Sequence, residues 1–251
     1  MKEFIQDKLL VRTYENRSLM GAEAARQAVD TIQVLLQIKP EVNIIFAAAP
    51  SQNEFLQALV LASVDWSRIN AFHMDEYIGL PAEAPQGFGN FLRNALFSKV
   101  PFKAVHYLNG NHPDTTAECN RYSALLKEYP VDITCMGIGE NGHLAFNDPP
   151  VADFDDPVLV KKVQLDEACR QQQVNDGCFK QLSDVPTHAI TLTIPALMAA
   201  PCIFCMVPGP TKAKAVYNTI HHSIDESVPA TILRRHDNAI LFIDSLSGSL
   251  L

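Results

Sequence analysis

The chain has 251 residues, of which 47% are hydrophobic and 19% are charged. This composition supports a buried core and excludes an intrinsically disordered protein. The 20 basic residues are outnumbered by 28 acidic ones, which gives a formal net charge of −8. We therefore expect no nucleic-acid partner and no membrane partner, because nucleic acids and anionic membranes recruit basic surfaces.

The N-terminus lacks the apolar segment of a signal peptide, and the longest nearly apolar stretch, residues 196–208, is too short to span a bilayer. We expect a cytoplasmic protein. The six cysteines are expected to form no disulfides, because a chain of this size does not need them, and Cys202 and Cys205 are expected to be core residues. Cys202 and Cys205 lie three residues apart in a predicted strand, so their thiols would face opposite sides of it.

Short apolar runs alternate with segments of helical period. Ser18 is predicted to cap the first helix, which ends before Lys39 and Pro40. Further helices are predicted at residues 53–63, 88–97, 115–129 and 211–220. Strands are predicted at residues 42–49, 69–74, 105–108, 131–138, 188–194, 202–207 and 239–243. This alternation predicts an α/β fold, with a mainly parallel open sheet and helices on both faces.

No linker or repeat divides the chain, so we expect a single domain over residues 1–251. Residues 147–185 are rich in Asp, Pro and Gln and look irregular. Long irregular connections inside a compact domain are usually functional, so this region is predicted to be a lid. Ligands of open α/β sheets bind at the carboxyl ends of strands, where three motifs stand out.

The first motif is FHMDEYIGL at residues 72–80, in which an apolar strand ends in Asp75 and Glu76. Acids are seldom buried without a partner. A solvated turn or a helix cap would explain the pair. The functional alternative is a general base, because a desolvated carboxylate has a raised pKa and can move a carbon-bound proton.

The second motif is MGIGENGHLAFNDPP at residues 136–150. Its glycines permit close backbone approach, with Gly139 as a candidate contact to a ligand. The Gly-x-Gly-x-x-Gly spacing imitates a dinucleotide fingerprint, but neither a long helix nor the required acidic residue follows, so we expect no nicotinamide cofactor. His143, with Asp148 five residues later, offers an imidazole whose proton a carboxylate could control.

The third motif is VPGPTKAKA at residues 207–215, where a strand ends in a Pro/Gly turn and Lys212 opens a helix. A cation beside helical N-terminal amides makes an anion site. An ordinary helix start with a surface lysine is the alternative.

In this order, the three motifs resemble the two signatures and the lysine turn of the glucosamine-6-phosphate deaminase/isomerase family, which is related to 6-phosphogluconolactonases. Weaker similarity covers most of the chain, including VPATIL at residues 228–233. The resemblance implies a Rossmann-like fold, no metal and no cofactor. It also implies a small sugar-phosphate partner, isomerisation of an amino-sugar 6-phosphate to the ketose phosphate, and release of ammonia.

The same resemblance implies roles for individual residues. Asp75 matches the base that moves a proton between C2 and C1, and Glu76 would support it. His143 matches the group that opens the sugar ring, and Asp148 matches the carboxylate that assists this histidine. Asn141 stands where many relatives have Asp, so it can orient the imidazole but cannot stabilise imidazolium by charge.

The predicted phosphate contacts depart further from the family pattern. Lys212 matches a phosphate-binding lysine, and Arg170 is matched to a lid arginine, in an uncertain register. The first phosphate loop is rich in Gly in the family but reads AAAPSQ at residues 47–52 here, leaving Ser51 and Gln52 as candidate contacts. This departure keeps galactosamine 6-phosphate open as a substrate beside glucosamine 6-phosphate.

Two other functions stay open at this point. One is hydrolysis of 6-phosphogluconolactone, although the AFNDP continuation at residues 145–149 favours the deaminase branch. The other is a non-catalytic sugar-phosphate sensor, which the altered loop and Asn141 both suggest. Homo-oligomerisation is likewise left open by the sequence.

Overall fold

The computed structural model describes residues 2–251 as an α/β fold with two sheets. The strands in that range are β1 (Lys2–Gln6), β2 (Leu9–Tyr14), β3 (Val42–Phe46), β4 (Ile69–His73), β5 (Asp75–Tyr77), β6 (Ala104–His106), β7 (Ile133–Met136), β8 (Val160–Gln164), β9 (His188–Leu192), β10 (Cys202–Val207) and β11 (Ala239–Asp244). The α-helices are α1 (Arg17–Ile38), α2 (Asn53–Val60), α3 (Phe88–Leu92), α4 (Thr115–Glu128), α5 (Glu167–Asn175), α6 (Ile194–Met198) and α7 (Ala213–His221).

The main sheet has the strand order β1-β2-β11-β10-β7-β3-β4-β6, and all its pairings except β1–β2 are parallel. The predicted α/β class is therefore confirmed. Strand β3 is buried along its whole length because helices cover both faces. Ile44 and Phe46 pack in a cluster with residues of α1 and α2, and Ile45 packs in a second cluster with residues of α4 and α7.

The strand order reverses beside β3. The chain runs outward from β3 through β4 to β6, then returns to place β7 on the other side of β3. Such a reversal opens a crevice at the carboxyl ends of the two strands, which is the usual ligand site of an open parallel sheet. Topology alone therefore places a binding site above β3 and β7.

The prediction of an irregular segment at residues 147–185 is wrong. That segment contains β8 and α5, and β8 belongs to a three-stranded antiparallel sheet in the order β5-β9-β8. Strand β5 begins at Asp75, only two residues after β4 ends, so the small sheet grows directly out of the main one.

The structure also tests the predictions for the cap of the first helix and for the cysteines. The cap of α1 is Asn16, whose side chain accepts a hydrogen bond from the amide of Leu19 at 3.0 Å, and not Ser18, which is inside the helix. All six cysteines are free, in agreement with the expectation of no disulfides, with Cys205 buried in β10 and Cys202 half-buried. Within residues 2–251, no helix combines the length and apolarity needed to cross a membrane.

Candidate active site

A cavity of about 220 Å³ lies at the carboxyl edge of the main sheet, above the reversal beside β3. Its walls come from the segments that follow β3, β4, β7 and β10, together with the start of α1 and one side of α5. The residues that line it are Arg17, 47–52, Met74, Asp75, Phe88, 137–139, His143, Ala145, Phe146, Gln172, Gln173, Asp176 and 208–212. Six of the residues singled out in the sequence therefore meet here: Ser51, Gln52, Asp75, Gly139, His143 and Lys212.

Asp75 enters the pocket at the bend between β4 and β5. It is 7% exposed, and burial, reinforced by the charge of Glu76, raises its pKa well above the ordinary value. The bend is fixed by the amide of Leu192, which donates to the carbonyl of Met74 at 2.8 Å. A carboxyl whose pKa is raised by burial is suited to proton transfer in a reaction.

His73 locks the backbone of Asp75, and sequence reasoning missed this contribution. Its Nε2 accepts a hydrogen bond from the amide of Leu108 at 3.0 Å, so Nδ1 carries the proton and donates to the carbonyl of Asp75 at 2.9 Å. Complete burial lowers the pKa of His73 to about 4. The ring is thus a neutral internal link between β4, β5 and the segment after β6.

Glu76, predicted to support Asp75, does not line the pocket. Successive residues of a strand face opposite sides, and Glu76 points away from Asp75. Its carboxylate accepts hydrogen bonds from the amides of Tyr77 at 2.9 Å, Phe88 at 3.0 Å and Gly89 at 2.8 Å. It therefore anchors the start of α3, which presents Phe88 to the pocket.

His143 lies in the turn after β7, directly against Gly139. A Cβ at position 139 would overlap the imidazole ring, so only glycine lets the ring occupy this place. The turn is closed by the amide of Gly139, which donates to the carbonyl of His143 at 2.9 Å. The glycine matters because it makes room for the imidazole in the pocket.

Asn141 and Asp148 hold the far side of the same imidazole and do not line the pocket themselves. His143 Nδ1 lies 2.8 Å from Asn141 Oδ1 and 3.0 Å from Asp148 Oδ1. Asn141 Nδ2 donates to Asp148 Oδ1 at 2.9 Å, which identifies Asn141 Oδ1 as the acceptor. Nδ1 is then the protonated nitrogen, and Nε2 keeps its lone pair.

Asp148 is 1% exposed. Burial alone would raise its pKa, but the hydrogen bonds and charge of the His143 ring and the amide of Asn141 more than offset that effect and lower the pKa. Asp148 is therefore an anion held beside the imidazole, although Asn141 supplies no second charge.

The segment after β3 forms a polar wall from residues that the sequence singled out. Gln52 is buried, and its Nε2 donates to Ser51 Oγ at 3.0 Å and to the carbonyl of Met206 at 3.2 Å. The second bond ties this loop to the end of β10. Ser51 and Gln52 thus form a rigid wall beside the turn that carries Lys212.

Lys212 lies in the last position of a 3-10 turn, Pro210–Lys212, that leads into α7. The turn follows Gly209, whose φ of 95° favours glycine and whose amide donates to the Asp244 carboxylate at 3.1 Å. Lys212 is 6% exposed, and none of the ion pairs among residues 2–251 includes it. Burial lowers its pKa, against the nearby charges of Asp176 and Glu140.

Arg17 is a second cation at the pocket, and sequence reasoning missed it. Its Nε and Nη2 donate to the two carboxylate oxygens of Glu54 at 2.6 and 2.9 Å, and Nη2 also donates to the carbonyl of Pro50 at 2.8 Å. These bonds fix the guanidinium beside the Ser51 loop. No sequence motif marks Arg17, because the packing of α1 on α2 places it at the pocket.

Arg170 does not line the pocket in this structure, so its contact with phosphate stays a prediction. Its Nη2 donates to the carbonyls of Leu182 at 2.8 Å and Val185 at 2.9 Å. Helix α5 instead presents Gln172 and Gln173 to the pocket. Gln172 Oε1 accepts from the amide of Glu140 at 2.8 Å, which joins α5 to the turn that carries His143.

Comparison with known families identifies this arrangement. The family described as glucosamine-6-phosphate isomerases/6-phosphogluconolactonase matches residues 15–242. The chain belongs to this family. It is 39% identical over 212 residues to the glucosamine-6-phosphate deaminase of Listeria welshimeri, covering 84% of this chain and 88% of that one. The corresponding protein of Lactobacillus delbrueckii subsp. bulgaricus is 36% identical over 205 residues, covering 82% and 86%.

Solved structures agree with the family assignment. A monomeric glucosamine-6-phosphate deaminase superposes with a TM-score of 0.87 at 27% identity, covering 96% of this chain and 99% of that one. The 6-phosphogluconolactonase of Thermotoga maritima superposes with a TM-score of 0.77 at 19% identity, covering 94% and 100%. At that identity the second likeness supports the fold alone. The Rossmann-like family fold expected from the motifs is thus confirmed.

Proposed function

We propose that the chain converts an amino-sugar 6-phosphate, with glucosamine 6-phosphate as the first candidate, into the ketose 6-phosphate and ammonia. The observation that carries this proposal is one pocket that holds a desolvated carboxyl at Asp75, an oriented imidazole at His143 and a buried cation at Lys212. The names of the relatives point to the same reaction.

Ring opening is assigned to the acid–base end of the pocket, which we define as Asp75 and His143 with the supporting Asn141 and Asp148. The Nε2 lone pair of His143 takes the proton of the C1 hydroxyl and delivers it to the ring oxygen, while the C1–O5 bond breaks. Asp148 stabilises the transient imidazolium by charge, and Asn141 keeps the ring in the orientation that this step needs.

Isomerisation is assigned to Asp75. As the carboxylate, it removes the proton from C2 of the open aldehyde and returns a proton to C1. A proton lost by the amine goes to O1, so the products of this step are a hydroxyl at C1 and an imine at C2. Water adds to this imine and ammonia leaves, so the C–N bond is cleaved by hydrolysis. Burial suits Asp75 to the proton transfer, because a raised pKa brings a carboxyl closer to the operating pH.

The phosphate is assigned to the anion end of the pocket, which we define as Arg17, Ser51 and Lys212. A dianion would supply a negative charge beside the buried Lys212. It could also accept hydrogen bonds from Arg17 Nη1, the guanidinium nitrogen that Glu54 and Pro50 do not engage. Gln172 and Gln173 would complete this wall from α5. We propose that α5 and the rest of residues 147–185 act as the lid of a single domain.

The test is to supply glucosamine 6-phosphate and galactosamine 6-phosphate separately to the purified chain and to measure ammonia and ketose phosphate together. Equal amounts of both products are expected, with the rate abolished in Asp75→Asn. Asp155→Asn, at an exposed position, is the matched control and should retain the rate. Turnover of 6-phosphogluconolactone that survives Asp75→Asn, with no ammonia from either amino sugar, would overturn the proposal.

A further inference from the structure

Behind His143 lies a cluster of three side chains with metal-ligating atoms. Cys169 of α5 faces the imidazole and Asp148, and one ligand atom of each residue lies within 4.8 Å of the other two. His143 is 8% exposed, and Asp148 and Cys169 are each 1% exposed. The proposed deamination uses His143 and Asp148 but gives the thiol no role beyond a weak contact with the Asp148 carboxylate.

A second observation points to a cation at this cluster. Asp148 Oδ1 is engaged by Asn141 and by His143 Nδ1, whereas Asp148 Oδ2 is buried, and the one further donor near this carboxylate within residues 2–251 is the Cys169 thiol. A thiol is a weak donor, so the buried oxygen is poorly satisfied, and a metal ion can satisfy it better. The nitrogen that faces the carboxylate is Nδ1, on the side of the ring away from the pocket.

The donor set is one imidazole nitrogen, one carboxylate oxygen and one thiolate sulfur. This mixture suits Zn²⁺, which takes N, O and S ligands in tetrahedral sites and fills a fourth position with water when the protein supplies three. We propose that His143, Asp148 and Cys169 form an inhibitory site for a thiophilic divalent cation of the Zn²⁺ class. The cation is an inhibitor here and not a cofactor.

Binding of one metal ion at this site releases one proton. The thiol of Cys169 releases its proton to solvent as the sulfur–metal bond forms. The proton on His143 Nδ1 moves to Nε2, because Nδ1 gives its lone pair to the metal. Nε2 then has no lone pair to offer a sugar hydroxyl, so ring opening stops. The inhibition rests on the proposed role of His143, whereas the binding does not.

Access to the site depends on α5. Cys169 lies three and four residues before Gln172 and Gln173, so all three occupy one side of the helix, and the glutamines form part of the pocket wall. The first residue before α5, Asp166, makes no capping hydrogen bond with its side chain. Displacement of this helix would open a path from the pocket to the cluster.

The test uses Co²⁺ as a spectroscopic probe and Zn²⁺ as the inhibitor, with the whole purified chain. We expect one Co²⁺ per chain, a thiolate-to-cobalt charge-transfer absorption, and loss of that absorption in Cys169→Ser. Cys178→Ser, which removes another partly buried thiol of the same region, should keep the absorption. Zn²⁺ should bind Cys169→Ser more than about tenfold more weakly, since even outer partners of a metal site cost that much.

The possible outcomes distinguish metal binding at the cluster from inhibition of ring opening. An absent absorption, or one that persists in Cys169→Ser, would overturn the site. If Cys169→Ser melts far below the parent chain, Asp148→Asn replaces it and must also weaken Zn²⁺ binding. Charge-transfer absorption together with undiminished ammonia release in saturating Zn²⁺ would keep the site and overturn the ring-opening role of His143. Reversal of the inhibition by a chelator, with the parent rate restored, supports both.

Discussion

The acid–base end of the pocket and its anion end differ in how their side chains are held. At the acid–base end, Asp75 and His143 are fixed by neighbours within a few residues in sequence, such as His73 and Asn141. At the anion end, Arg17 is fixed by Glu54, 37 residues away, and Ser51 is held by Gln52, whose side chain also donates to the carbonyl of Met206, 154 residues away. Side chains fixed by near neighbours can be recognised from a short sequence motif. The anion end depends instead on contacts made by the tertiary fold.

The largest effect expected is that of Asp75→Asn, which removes the proposed base without changing its shape. The turnover number should fall by a factor of about 10² to 10⁴, the usual contribution of a general base. The same change should raise the melting temperature at pH 7 by about 2–4 °C for each kcal/mol of burial cost removed. Coupled ammonia release and calorimetry on one preparation measure both quantities.

The pH range in which Asp75→Asn stabilises the chain follows from the raised pKa of Asp75. The folded pKa of Asp75 lies well above 3.8, so the unfolded chain loses this proton first as the pH rises. Asp75 therefore costs no stability below pH 3.8, and its cost grows as the pH rises toward the folded pKa. The stability gained in Asp75→Asn should follow that window. A gain that is constant with pH, or a loss at pH 7, would contradict the buried-carboxyl description.

His73 tests the rigidity of the acid–base end. Its pKa is about 4 in the folded chain against 6.5 when exposed, so the unfolded chain binds the proton first on acidification. The stability difference between the parent chain and His73→Gln should therefore be largest above pH 6.5 and shrink by about 3 kcal/mol as the pH falls to 4. Urea unfolding at a series of pH values measures it, with His222→Gln, at an exposed position, as the matched control.

The sequence predicts the features that local patterns encode and misses those that depend on contacts between distant residues. The buried strands and the helices with clear period were found because apolar periodicity is a local signal, and Asp75 and His143 were found because each lies in a short motif. The small sheet was missed because β5 has three residues and β8 has the polar sequence VKKVQ. Arg17 was missed because nothing near it in sequence encodes its contacts with Glu54 and Pro50.

Arg170 shows the limit of a match by resemblance at the anion end. It was matched to a lid arginine, in an uncertain register and in a segment that the sequence predicted to be irregular, but that segment contains a helix, and helix rotation decides which side chains face a ligand. The rotation of α5 is set by the packing of Cys169 and Gln172, and it directs Arg170 to the carbonyls of Leu182 and Val185. Residue type and approximate register cannot supply that rotation.

Arg17→Ala tests the anion end. Loss of a charge-assisted hydrogen bond costs about 1.5–3 kcal/mol, so the KM for a sugar phosphate should rise about 10- to 100-fold, with the turnover number changed by less than about threefold. Steady-state ammonia release and competition by inorganic phosphate measure the effect. Arg17→Lys should recover only part of the affinity, because an ammonium lacks the planar fork of guanidinium.

Arg12→Ala is the matched control for that experiment, since Arg12 pairs with Glu3 at an exposed ion pair away from the pocket and should leave KM unchanged. A parent-like KM and phosphate affinity in Arg17→Ala would remove Arg17 from the anion end. Lys212 and the polar wall at Ser51 and Gln52 would then bind the phosphate alone.

The smallest effect is expected for Asn141→Asp, which places a second carboxylate beside the imidazole. A negative charge placed 2.8 Å from His143 Nδ1 would stabilise imidazolium. Ring opening needs the neutral imidazole, so kcat/KM for the amino-sugar phosphate should fall, by less than about tenfold. Asn175→Asp adds the same charge at an exposed position of α5 and should leave kcat/KM unchanged. An unchanged kcat/KM in Asn141→Asp would mean that a charge beside Nδ1 does not affect ring opening, and it would contradict the proposed role of the His143 imidazole.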